Sequence, residues 1–243
     1  MPAAPGPEPA VPLSAVILAG GSGARLGGVD KPGLALDGRS LLDRAIAAVP
    51  GGRVVVVGPP RRSVGEVIQT LEDPPGSGPA AAIAAGVIAL GSRRVAEPAP
   101  ADVPRSVPTI ALPATSADVG KERGTETGPD DLVAVLAADL PGITSDVVRR
   151  LAGVVLATPA AAGAVLVDGR GHEQWLLGVW RSAALVTALS AHDSWAGRSV
   201  RALLQPLSPL RLPATGDEHR DLDTPADRSA WEDRLGATFG PPD

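Results

Sequence analysis

The chain has 243 residues, of which 44% are hydrophobic and 20% charged, and its formal net charge is −5. That length and balance suit one soluble domain with a full core, and no apolar run reaches the roughly 18–20 residues that a membrane span needs. Nucleic acid is also an improbable partner, because there is no basic excess and one Phe, four Trp and no Tyr leave little on which bases could stack. The absence of cysteine excludes disulfides, thiolate zinc sites and cysteine nucleophiles. It suits a reducing compartment, so a cytoplasmic location is expected.

Residues 1–12 are rich in Pro and Ala and lack a basic or apolar leader, so they read as a flexible tail ahead of a domain over 13–238. Ser14-Ala-Val-Ile-Leu18 is short, apolar and β-branched, as a buried parallel strand should be. It feeds the most informative stretch of the chain, Leu18-Ala-Gly-Gly-Ser-Gly-Ala-Arg-Leu-Gly-Gly-Val-Asp-Lys31. Glycines here let backbone N–H groups approach an anion closely, while Arg25 and Lys31 add full positive charge. Of 22 basic residues only Lys31 and Lys121 are lysines, which points to a need for a compact, rotatable ammonium at Lys31. The plainer alternative is an ordinary turn with solvated charges.

Ser40 to Val49 has helical apolar spacing, Ser40 as a cap and Pro50-Gly-Gly as a stop. Arg53 to Gly58 is a second buried strand and Val67 to Leu71 a weaker third, which ends in Glu72-Asp73-Pro-Pro-Gly-Ser-Gly-Pro79. A helix of small residues is expected over about 80–90. Periodicity then fails, and 92–130 reads as an insert that does not order. Asp131 to Ala137 is a fourth strand and empties into Ala138-Asp-Leu-Pro141. Thr144 caps a helix to about Leu156, Ala164 to Val167 is a strand, and Asp168-Gly-Arg-Gly171 is a tight turn into a partner strand from Gln174 to Trp180. Helices are expected over Ser182–Ser190 and Gly197–Leu204, then a short strand at Arg211-Leu-Pro and a last helix from Pro225 through Trp231. This alternation predicts an α/β fold, a three-layer doubly wound sheet with mostly parallel strands. Ligands of such sheets bind at the carboxyl ends of the strands, where Gly20 to Lys31, Asp73 and Asp139 should converge.

The glycine-rich stretch lacks the Gly-Lys-Ser/Thr of a Walker loop, and Leu26 stands where a dinucleotide fingerprint needs its third glycine. Arg61 and Arg62 are the residues that would serve an NADP reading. Asp139 follows a buried strand and precedes Pro141, a good place from which to hold a hard cation through oxygen; the alternative, a cap for the next helix, is better filled by Thr144. In Asp221-Leu-Asp-Thr-Pro-Ala-Asp227, Thr224 and Pro225 read as a helix start, and Asp223 could share a cation with Asp139. His172, His192 and His219 lack metal-ligand spacing. Gly197-Arg-Ser-Val-Arg201 is a small basic helix start, able to meet an anionic substrate or simply solvated.

Taken together these residues resemble the molybdenum cofactor guanylyltransferases of the nucleotidyltransferase superfamily. The resemblance runs nearly unbroken from Leu18 to Lys31. It continues at Glu72-Asp73 with Gly78-Pro79, at Ala138-Asp-Leu-Pro141, Asp168-Gly-Arg170, Gly197-Arg-Ser-Val200 and Asp221 to Asp227, and so covers about Ser14 to Leu235. The chain departs from it at Gly58-Pro59, where Asn is frequent, and at His172-Glu-Gln-Trp175, where a Pro-rich turn is expected.

The resemblance implies a Rossmann-like nucleotidyltransferase fold that joins GMP from GTP to the terminal phosphate of molybdopterin and releases pyrophosphate. It implies that Leu18, Ala19, Gly20, Gly21, Ser22 and Gly23 bind the nucleotide, with Arg25 and Lys31 catalytic and Lys31 also on the triphosphate. Asp139 would hold Mg²⁺, Asp223 is the candidate second ligand, and Asp73 the candidate contact to guanine. The implied partners are GTP and a molybdopterin-type phosphate acceptor, with molybdoenzyme maturation proteins as further candidates. Molybdopterin cytidylyltransferase, phospholactate guanylyltransferase and sugar-1-phosphate nucleotidyltransferase are the neighbouring activities, and a nucleotide-binding module without catalysis is the reading from another class.

One expectation follows from composition alone. Replacing residues 94–127 by a short Gly/Ser linker should leave the melting temperature nearly unchanged, since that segment cannot bury enough apolar surface to offset its ordering entropy. A drop of many degrees in a thermal scan would contradict it.

Overall fold

A computed structural model describes residues 13–20, 30–49, 51–62, 65–91, 131–222 and 224–238. The expected tail, the 92–130 insert, Gly21, Ser22, Gly23, Arg25 and Asp223 lie outside the described residues. The strands are β1 (Leu13–Leu18), β2 (Ala35–Leu36), β3 (Arg39–Ser40), β4 (Val54–Val57), β5 (Ile68–Thr70), β6 (Leu132–Ala137), β7 (Gly163–Val167), β8 (Glu173–Arg181) and β9 (Leu210–Pro213). The helices are α1 (Leu41–Ala47), α2 (Pro79–Gly91), α3 (Ser145–Ala157), α4 (Ser182–Leu189), α5 (Val200–Leu204) and α6 (Pro225–Thr238).

Seven strands form one sheet in the order β5-β4-β1-β6-β8-β7-β9. β5, β4, β1 and β6 are mutually parallel, β8 runs against both β6 and β7, and β9 lies parallel to β7. Only β8 is reversed, so the sheet is mostly parallel, as the alternation of elements predicts. Strands covered by helices on both faces should be apolar nearly throughout; β4 and β6 are apolar at every position, and β1 at every position but the buried Ser14. On one side Ala15, Ile17, Ala134 and Leu136 pack with Leu42 and Ala45 of α1 and Val148, Leu151 and Val155 of α3. On the other Val16, Val55, Val57, Val133 and Val135 meet Ala80, Ile83, Val87 and Leu90 of α2, together with Leu185, Leu203 and Leu204.

Short polar side chains start three of the helices, at the expected Ser40 and Thr144 and at Ser199. Ser40 accepts the Asp43 N–H at 3.0 Å, Thr144 accepts the Val147 N–H at 3.4 Å and Ser199 accepts the Ala202 N–H at 3.1 Å. The Ser199 cap corrects one expectation. The helix expected from Gly197 begins at Val200, because Gly197 is held at φ +70 and its N–H donates to Ser77 O at 2.8 Å. Arg198 therefore precedes the helix, with its guanidinium 5.7 Å from the centroid of the Trp195 ring. The last helix runs past Trp231 to Thr238. Sequence reading also missed the β2–β3 hairpin, whose Asp37 and Gly38 both take positive φ, +51 and +71, as a two-residue type I′ turn requires.

Gly163 opens β7 directly opposite Trp180 of β8, a side chain buried completely. A Cβ on Gly163 would meet Trp180 Cδ2 and Val179 O at 2.8 Å, and neither can withdraw into a filled core. Gly163→Ala should therefore cost about 1–3 kcal/mol of stability, read as a lower urea midpoint at an unchanged m-value.

Candidate active site

Three parallel strands deliver their carboxyl ends side by side, and backbone hydrogen bonds fasten the exits to one another. The Ala19 N–H donates to Val57 O at 2.8 Å, and the Ala138 N–H donates to Leu18 O at 2.9 Å. Gly58, at φ +151, continues from β4 so close to β1 that a Cβ would lie 2.8 Å from the carbonyl carbon and oxygen of Ala19 and 2.9 Å from Gly20 N. Only glycine fits there, which gives a packing reason for the departure from Asn noted in the sequence. Leu18 and Ala19 are buried, whereas Gly20 is exposed and a Cβ on it would meet nothing within 4 Å among the described residues.

Lys31 is half-buried and opens a 3₁₀ turn, Lys31–Gly33, whose Pro32 is buried. Behind the turn the Leu41 N–H donates to Leu34 O at 3.0 Å and Arg44 Nη2 to Leu36 O at 2.6 Å, so the hairpin that follows is fastened to α1. Leu36 and Leu41 share a small third core with Leu222 and Trp231. The stretch carrying Lys31 therefore rests on the C-terminal segment as well as on the sheet.

Asp139 is half-buried beyond β6, and its carbonyl accepts the Leu222 N–H at 3.2 Å. That bond brings the residue before Asp223 onto the backbone of Asp139. Nearby, a Cβ on Gly142 would lie 2.9 Å from Asp217 O and 2.9 Å from Trp231 Cη2, so the chain after Asp139 and the chain before Asp223 touch with no room to spare. Glu218, 8% exposed, secures this return. It accepts the Thr215 hydroxyl at 2.7 Å and the Gly216 N–H at 2.7 Å, while Arg150 Nη1 of α3 stands at 3.2 Å. Burial would raise the pKa of Glu218, but the hydrogen bonds from Thr215, Gly216 and its own backbone outweigh it and hold the value at about 2.

Asp73 is exposed at the carboxyl edge of the sheet, after β5, with β4 between it and β1. Its loop is pinned, since Glu72 accepts the Gly76 N–H at 3.0 Å and the Ser77 carbonyl holds Gly197. The structure therefore gathers Leu18, Ala19, Gly20 and Asp139 at one place and sets Asp73 to the flank. Among the described residues, no three His, Cys, Asp or Glu side chains gather as a metal-binding group. The donor chemistry still fits Mg²⁺, which commonly takes one or two protein carboxylates and completes its shell with substrate phosphates and water. Asp139 is a described carboxylate just beyond the end of β6.

Sequence reasoning offers Arg61 only as a contact in an NADP reading. The structure puts its Nη1 3.0 Å from Ala19 O and its Nη2 2.7 Å from Asp30 Oδ1, between the end of β1 and the residue before Lys31. No local spacing announces such a bridge. The only sequence signal was a pair of arginines just past β4.

Residues 15–211 match the MobA-like NTP transferase domain. The chain belongs to that family. The molybdenum cofactor guanylyltransferase of Acidiphilium cryptum is 52% identical over 81 residues, a stretch that is 31% of this chain and 41% of that protein. The chain thus spans well under half the length of this curated relative. Among solved structures, molybdopterin-guanine dinucleotide biosynthesis protein A of Archaeoglobus fulgidus superposes with a TM-score of 0.60 at 16% identity, over 92% of this chain and 99% of that one. The 2-C-methyl-D-erythritol 4-phosphate cytidylyltransferase of Thermus thermophilus superposes with a TM-score of 0.57 at 16% identity, over 92% and 98%. At such identities the likeness is one of fold, and the Rossmann-like sheet of these NTP transferases is the sheet described above. No helix among the described residues is long and apolar enough to cross a membrane.

The Glu218 clasp has a pH signature. Its folded pKa of about 2 lies below the ordinary 4.5, so its contribution is complete above about pH 5 and is lost as pH falls toward 2. Glu218→Gln should cost about 1–3 kcal/mol at neutral pH and flatten the acid-side fall in stability, measured as urea midpoints from pH 7 to pH 2.5. A parallel displacement of the two curves would show that the clasp is not what titrates.

Proposed function

We propose that this NTP transferase domain joins GMP from GTP to the terminal phosphate of a molybdopterin-type acceptor and releases pyrophosphate. The observation that carries the reading is the joining of the β1, β4 and β6 exits, which sets exposed backbone at Gly20 and the Asp139 carboxylate around one end of the sheet. The stretch from Leu18 to Lys31 supports the nucleotide half, and the curated relative supports the choice of GTP and acceptor.

In the reaction, an oxygen of the acceptor's terminal phosphate forms a bond to the α-phosphorus of GTP. The bond from that phosphorus to the bridging oxygen breaks, and pyrophosphate leaves with its electron pair. The chain needs no covalent intermediate for this; it must align the two phosphates and neutralise charge. In this reading the backbone from Leu18 to Gly23 binds the nucleotide, and Lys31 and Arg25 lie against the triphosphate and stabilise the charge that grows on the leaving group. Asp139, with Asp223 as the second candidate ligand, would hold Mg²⁺, which would supply charge neutralisation to the phosphates. Asp73 contacts guanine from the flank of the site. The protein works in the cytoplasm, where GTP and a reducing milieu coincide.

The experiment is GTP-dependent pyrophosphate release with a molybdopterin acceptor, run beside CTP, ATP and UTP. Lys31→Ala should lower turnover by about 10²–10³-fold at unchanged melting temperature, because a loop cation acts on the transition state and not on the core. Asp139→Asn should abolish release, because the main ligand loses its negative charge, whereas Asp223→Asn should cost less, because in this reading Asp223 only completes the coordination. Full activity in Lys31→Ala overturns the phosphate reading. A larger defect at Asp223 than at Asp139 overturns the division between the two acids, and preference for CTP would hand the chain to the cytidylyl branch.

A further inference from the structure

Arg61 follows β4 but its guanidinium belongs to a different part of the molecule. Only 15% of its side chain is exposed, against 55% for Asp30. One planar group makes two contacts: Nη1 donates to Ala19 O at 3.0 Å and Nη2 reaches Asp30 Oδ1 at 2.7 Å. Its own backbone is clamped in turn by Gln69 of β5, which accepts the Arg61 N–H at 2.7 Å through Oε1 and donates to Arg61 O at 2.8 Å through Nε2. The arginine is thus braced from the edge of the sheet and reaches inward to β1.

The other end of the bridge is shaped to receive it. Asp30 precedes the 3₁₀ turn, and its carbonyl accepts the Gly33 N–H at 3.1 Å. Its carboxylate folds back over Gly33, so that a Cβ there would stand 2.6 Å from Oδ2 and 3.3 Å from Cγ. Glycine at position 33 leaves room for the carboxylate that Arg61 holds. Any other residue would displace it and loosen the bridge without entering the core.

We propose that Arg61 is a positioning residue, which sets where Lys31 stands relative to the carboxyl end of β1 by holding Ala19 and Asp30 with one guanidinium. The inference rests on the reading that Lys31 meets the triphosphate. Phosphoryl chemistry depends on alignment, so a cation displaced by a fraction of its reach loses rate more than affinity. Lysine cannot replace the arginine, because one point charge on a flexible stem cannot span two acceptors set by a fork.

The test uses the full chain and measures kcat and KM for GTP in pyrophosphate release, with melting temperature alongside. Arg61→Ala, Arg61→Lys, Asp30→Asn and Gly33→Ala should each lower kcat by about 10–100-fold while KM for GTP moves far less. Arg61→Ala combined with Asp30→Asn should be no worse than Arg61→Ala alone, as expected when two groups act through one contact. Wild-type kcat in the Arg61 variants, rescue by lysine, or losses that multiply in the double variant would each overturn the proposal; the last would mean that Arg61 acts on the nucleotide itself. Lys31→Ala separates the two levels. Normal variants at Arg61 beside an inactive Lys31→Ala sink this proposal alone, and an active Lys31→Ala sinks the phosphate reading beneath it.

Discussion

The arrangement depends on β1, a strand from Leu13 to Leu18 that has parallel neighbours on both edges and helices over both faces. A strand so enclosed satisfies every backbone group through its neighbours and carries no polar side chain to the solvent. Chemistry can therefore appear only where the ladder stops. Among the described residues its last ladder bonds are Ala19 N–H to Val57 O and Ala138 N–H to Leu18 O. Beyond these two bonds the backbone is released at Gly20 beside β4 and β6, whose own exits carry Gly58 and Asp139. The location of the site is thus a consequence of where hydrogen bonding ends.

Two further parts of the chain are brought to that edge from far away, and each is held by polar side-chain contacts. The C-terminal segment leaves β9 and is turned by Glu218, with Arg150 of α3 on one side and Thr215 and Gly216 on the other. It then passes Gly142 without clearance and bonds Leu222 to Asp139. A carboxylate with several donors in a sheltered place is costly to leave unmatched and specific when matched. The same logic applies on the opposite flank, where Arg61 bridges Ala19 and Asp30. Both devices are rigid fasteners around a mouth that the sheet alone would leave open.

Much of the fold was legible because it is written in local terms. β1, β4 and β6 are largely apolar runs of strand length, and α1 and α3 are capped by Ser40 and Thr144, residues whose short side chains accept a backbone N–H three places on. The β2–β3 hairpin was missed because its strands are too short to show alternation, although Asp37-Gly38 is a turn signal in its own right. The start of α5 was placed too early because Gly197 and Arg198 fit a helix by composition, while a tertiary bond from Gly197 to Ser77 decides otherwise. The strand ends that carry Gly20 and Asp139 were legible from the site motifs. Arg61 and Glu218 were not, because their partners are remote: Arg61 stands 42 residues from Ala19 and Arg150 stands 68 residues from Glu218. Periodicity carries no information at such separations.

The chemistry of the two cation types explains the division of labour at this edge. Arg61 joins two fixed acceptors, a carbonyl and a carboxylate, whose positions do not change during a turnover; a planar fork with preset donor directions suits that task. The group that meets a phosphate must follow oxygens that move as one bond forms and another breaks, and a rotatable ammonium with three equivalent donors adapts to them. In a chain with 22 basic residues and only two lysines, the lysine stands on the turn that the arginine's bridge supports. On the proposed reading, exchanging the two residue types would therefore harm both roles: the frame would lose one of its two contacts, and the proposed phosphate contact would gain a rigidity that the moving oxygens do not match.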